Sequence, residues 1–235
     1  MDVFLVPVRL PGQSRGPARA LYCEPAPEPI TPEVIGADGT RPGLFVRMKR
    51  SFQQALAEGE AERRRRERGE PELPGGSSVG RFIKRKLADS VAEHRLLWAL
   101  RHEQSARLYH PLGMTAADAV SFARSECARD RNKHAFWAIV DALLFIASGL
   151  IAWVPGPNVL AYYLLFRAVS HYFSLVGGLH GARASMWTPM ASQPLTALEE
   201  ALALPADARA ARVQDVAAAL GLDRLPLFLR RVTGA

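Results

Sequence analysis

Cysteine is almost absent from this chain: two among 235 residues, Cys23 and Cys127, far apart and without Cys-x-x-Cys spacing. That scarcity excludes a disulfide framework and a cysteine-built zinc site, and it favours a reducing compartment. The chain also lacks GxGxxG, GxxxxGK[ST] and HExxH patterns, and its GxSxG string, Gly12-Gln13-Ser14-Arg15-Gly16, falls in the Gly/Pro-rich turn expected between two short strands rather than at a strand-to-helix elbow, so the common nucleotide, zinc-protease and hydrolase chemistries have no signature here. The glycine-rich stretch at 75–80 has neither the lysine nor the preceding strand of a phosphate loop and reads as a linker. Of six histidines, His94 and His102 share a helix face, but no second element brings them a carboxylate or thiolate. We therefore expect no metal, no cofactor and no enzymatic activity. At the N-terminus no basic region precedes the apolar run, and Pro7 cuts that run short. Neither a secretory signal nor a transit peptide is expected.

What is present is positive charge and one long apolar region. Thirty basic against 23 acidic residues leave a formal charge of +7, which calls for an anionic partner. The basic clusters at 62–68 and at Arg81, Lys84, Arg85 and Lys86 lack interleaved aromatics, so nucleic acid is not expected and anionic lipid headgroups suit them better. Abundant Ala, Arg and Gly fit a GC-rich bacterial genome.

The pattern predicts a mainly α protein with a short N-terminal β-hairpin and a central apolar, transmembrane helical hairpin. Four segments follow. Residues 1–42 hold a strand pair (3–10 and 20–23) and a Pro/Gly-rich connector. Residues 43–132 read as amphipathic helices at 43–68, 79–108 and 116–132, the last opened by Thr115 and Asp118 in a capping-box arrangement. Residues 133–182 are the apolar hairpin, and 183–235 a small C-terminal helical module built on Leu195, Leu198, Leu202, Val213, Val216, Leu222, Leu225 and Leu229.

The hairpin consists of two 21-residue runs, 134–154 and 159–179, around a bend at Pro155, Gly156, Pro157 and Asn158. Each run has the length to cross a hydrocarbon core of about 30 Å. Ten Leu, Ile, Phe or Val residues per run favour insertion by roughly 3–6 kcal/mol, and Asp141 or Arg167 gives back about 2.5–3.5 kcal/mol. Either run alone is marginal. Antiparallel register brings Asp141 to the depth of His171 and within about a turn of Arg167, with Ser174 continuing the same face. A seam of Asp141, Arg167, His171 and Ser174 is therefore the candidate site for ion or proton handling. Arg124, Arg129, Arg131, Lys133 and Arg183 flank the hairpin and the bend is uncharged, which places both ends in the cytoplasm or matrix. The competing reading is a soluble all-α adaptor or regulatory protein whose hairpin is simply its core, with a buried ion pair.

Residues 155–181, PGPNVLAYYLLFRAVSHYFSLVGGLHG, resemble the mitochondrial potassium–proton exchange-related family at Pro157-Asn158, Tyr162-Tyr163, Arg167, Ser170-His171 and Gly177-Gly178. Weaker matches are the opening VFLVPVRL with ALYCEP, and Leu97-Trp98 leading to Tyr109-His110-Pro111. The resemblance implies a membrane protein of potassium–proton exchange or homeostasis, in a bacterial inner membrane or, if eukaryotic, the mitochondrial inner membrane. Two membrane segments are few for a complete carrier, so an accessory or oligomeric component is expected. Its partners would be the lipid bilayer, further copies or other membrane subunits, potassium ion and proton.

Overall fold

In the computed structural model, described residues are 1–9, 18–24, 65, 95–149 and 159–233. The apolar opening forms β1 (Asp2–Pro7), which pairs antiparallel with β2 (Arg19–Tyr22). Two further strands, β3 (Ala106–Pro111) and β4 (Trp187–Ser192), complete a sheet of order β2-β1-β3-β4. β3 lies parallel to both β1 and β4. Both faces of the sheet are covered, which is why β1 reads as continuous rather than alternating hydrophobicity. Val3, Ala106 and Leu108 face one way, Phe4 and Val6 the other.

The long helix α1 (Ala116–Gly149) and its partner α2 (Val159–Gly181) form the hairpin. Thr115 accepts from the Asp118 backbone N–H and donates to its carboxylate, starting α1 as expected. No breaker separates the polar half of α1 from the apolar half, so the two helices expected at 116–132 and from 134 are one. Between β4 and the C-terminus, α3 (Gln193–Leu202), α4 (Ala206–Leu220) and α5 (Leu225–Thr233) cover the Phe4 face with the leucines and valines foreseen for a helical module. Gly221, at φ 67°, closes α4 in a left-handed cap that favours glycine.

Two expectations are corrected. The helix expected over 79–108 does not reach its end: residues 95–100 are helical, and 106–111 are strand. From Ala106 the apolar positions alternate with period two, and the backbone hydrogen-bonds to β1, so the helical reading of Leu108 fails. The segment after the hairpin, assigned from sequence to the C-terminal helical module of 183–235, opens instead with β4. Its Pro189 is tolerated because β4 stands at the sheet edge. The sheet thus draws on three of the four sequence segments. The helix at 43–68 (residue 65 apart), the linker before residue 79 and the bend Pro155–Asn158 lie outside the described residues.

β3 and β4 are neighbours and parallel, and the whole hairpin is the crossover between them. Its base is clamped. Trp187 donates to the Gly181 carbonyl at 2.7 Å, and Ala119, Ala123 and Cys127 of α1 pack on the Val3 face with Leu97 and Leu100. α2 is wedged between that 95–100 segment and α1. A Cβ on Gly177 would lie 1.7 Å from the Leu97 carbonyl oxygen, and one on Gly178 would lie 2.9 Å from Arg131 Cβ.

Gly177→Ala is expected to destabilise the fold by about 3 kcal/mol, because backbone must move. Gly113→Ala, which meets nothing within 4 Å, should change stability by at most about 0.5 kcal/mol. Equal denaturation midpoints for both would contradict this packing. Burial pushes the free thiols of Cys23 and Cys127 from 9.0 up to about 12. A raised thiol pKa means the stabilisation is complete below pH 9 and fades as pH climbs toward about 12. Denaturant titrations should therefore show an alkaline fall in stability that is shallower in Cys127→Ala.

Candidate functional site

On α1, His134 and Asp141 are seven residues apart, two helical turns, and so lie on one face. That face turns inward: both residues are buried, with Asp141 fully inaccessible. The opposite stripe carries Phe136, Ile139, Leu143 and Ile146, each more than 60% exposed, flanked by exposed Trp137 and Leu144. The usual arrangement of an amphipathic helix in water is reversed over this half of α1.

From α2, Arg167, His171 and Ser174 follow at four- and three-residue spacing on the side facing α1. Arg167 Nε and His171 Nε2 each lie 3.3 Å from Asp141 Oδ2. His171 Nδ1 is 2.8 Å from His134 Nδ1, with the two rings tilted at 34°. The Arg167 guanidinium lies 5.9 Å from the Trp137 ring centre and 5.8 Å from that of Tyr163, cation–π distances that keep it at the hairpin surface. Its side chain is 35% exposed against 1% for Asp141. Among the described residues neither Asp141 oxygen meets a donor in hydrogen-bond geometry, and the buried Ser170 hydroxyl likewise finds no hydrogen-bond partner among them. The carboxylate is thus held by charge at ion-pair distance, without the directed hydrogen bonds of a rigid structural bridge.

Of the residues expected in the seam, Asp141, Arg167 and His171 converge. Ser174 shares the interface but accepts the Trp98 indole N–H at 3.1 Å instead. The bend residues Pro155, Gly156, Pro157 and Asn158 lie outside the described residues. His134 was missed as a member of the seam. The signal was its two-turn spacing from Asp141, overlooked because it opens the apolar run beside Lys133. Among the described residues no group of three or more His, Cys, Asp or Glu is placed to hold a metal ion. Among them, too, no helix is long and apolar enough to cross a membrane.

Removing Arg167 strands a buried charge, so Arg167→Leu is expected to cost about 3 kcal/mol. Combining it with Asp141→Leu should recover most of that loss, because both charges then leave the interior. A double-mutant cycle by chemical denaturation checks it, and strictly additive costs would show that the pair is not coupled.

No curated protein and no solved structure matches the chain. A family model described as mitochondrial K+–H+ exchange-related matches residues 65–182. That stretch is half of the sequence and contains both helices of the hairpin with Asp141, Arg167, His134 and His171. The chain belongs to the mitochondrial K+–H+ exchange-related family.

Proposed function

We propose that this protein serves monovalent cation–proton exchange or homeostasis as a non-enzymatic accessory or oligomeric component, with its hairpin set in a lipid bilayer. The observation that carries the reading is the reversed polarity of the hairpin: ionisable groups inside, large apolar side chains outside. Water on the outside would leave a contiguous apolar stripe exposed, whereas lipid satisfies it. The residues that lower each helix's hydropathy are those turned toward the partner helix, so the pair is better suited to lipid than either helix alone. The described apolar half of α1, residues 134–149, rises about 24 Å against a core of about 30 Å. Arg129 and Lys133, exposed at the base of that half, suit anionic headgroups on the cytoplasmic or matrix side. Two helices supply too small a cage for a lone carrier, which favours an assembly.

Expressed in cells, the chain is expected to sediment with membranes and to resist alkaline carbonate extraction. Ile139→Glu with Leu143→Glu should lower the retained fraction several-fold. Free wash-off of the wild type would overturn the insertion and leave the hairpin as the core of a soluble helical adaptor. In vesicles, Asp141→Ala and His171→Ala are each expected to abolish potassium-driven proton flux, and unchanged flux in both would reduce the seam to a structural role.

A further inference from the structure

A continuous chain of titratable groups crosses the hairpin interior: Asp141 Oδ2 to His171 Nε2 at 3.3 Å, then His171 Nδ1 to His134 Nδ1 at 2.8 Å. Two ring nitrogens at that distance form a hydrogen bond only if one carries the hydrogen and the other a lone pair. The pair therefore holds one proton between its facing nitrogens. Protonating both would set two N–H groups and two positive charges against each other in a buried site.

We infer that His134 and His171 form a single-proton binding site, with Asp141 as the acceptor at its far end. The inference deepens the proton role proposed above and rests on that reading only for the destination of the proton. The carboxylate beside His171 Nε2 favours a hydrogen on that nitrogen, which leaves His171 Nδ1 to accept from His134 Nδ1–H. In the transfer we infer, a hydronium O–H bond breaks, its proton bonds to the lone pair of His134 Nε2, and neutral water is left. The His134 Nδ1–H bond breaks as its proton moves to His171 Nδ1, the electron pair staying on His134. The His171 Nε2–H bond breaks in turn, and its proton goes to Asp141 Oδ2. One proton has entered at His134 and one has arrived at Asp141. The contact between the rings is kept, with donor and acceptor exchanged.

The neighbouring charges leave this site near balance. On the same α2 face, Arg167 offsets Asp141. Beyond the 95–100 segment, the Arg101 guanidinium lies 3.9 Å over the Phe173 ring, and His180 Nδ1 is 3.3 Å from the Leu100 carbonyl. Lys133, beside His134 on α1, is exposed. The cluster is thus neutral without the extra proton and carries a single positive charge with it.

The test is nuclear magnetic resonance of the purified full chain carrying 15N-histidine. Expected are a scalar coupling between two Nδ1 nuclei across the hydrogen bond, and a joint, single-proton response of both rings as pH falls from about 8 to about 5. The coupling should vanish in His134→Gln and in His171→Gln, and His171 should titrate alone in His134→Gln. Absence of coupling in the wild type, or two separate one-histidine steps, would overturn the site. If the Gln variants fail to fold, the wild-type coupling decides by itself. Intact coupling without potassium-driven flux sinks the exchange reading alone.

Discussion

Strands β3 and β4 lie side by side and parallel, so the chain must leave the end of one and return to the start of the other. In most sheets that return is a single helix lying on the face. Here it is a pair, and only the first half of α1 and the last turns of α2 fit against the sheet. The rest projects beyond it as a two-helix arm. Pairing β3 with β4 therefore settles where the arm is rooted.

Within the arm the packing follows a different rule from that of the domain beneath it. Two apolar clusters sandwich the sheet and hold the body in the ordinary way. Between the distal halves of α1 and α2 the contact is made instead by a carboxylate, a guanidinium and two imidazoles. Taking ions out of water is costly, and mutual attraction repays that only when the partners are complete. The same groups that make the arm a poor hydrophobic core make its two helices specific for one another.

Much of this was legible in the residues. Helical periodicity and a bend of prolines and glycine announced the hairpin, and i, i+4 spacing put Arg167 and His171 on one face. Leucine and valine spacing revealed the C-terminal helices. The missing information was non-local. ARLYHP and WTPMAS are only six residues long, too short for their alternation to outweigh a helical reading, and each becomes a strand because another strand, far away in the chain, offers its edge. His134 stayed hidden for a related reason. Its importance comes from a ring on the opposite helix, and its two-turn spacing from Asp141 is the mark in its own helix that sets it apart from the basic flank it follows.

The wedge at Gly177 and Gly178 has a mechanical consequence. With no room between α2 and the Leu97 carbonyl on one side and Arg131 on the other, the lower end of α2 can neither slide nor roll against its neighbours. The histidine pair sits about two turns along α2 from this contact, so the spacing of its facing nitrogens is referenced to an interface that admits no added side-chain volume.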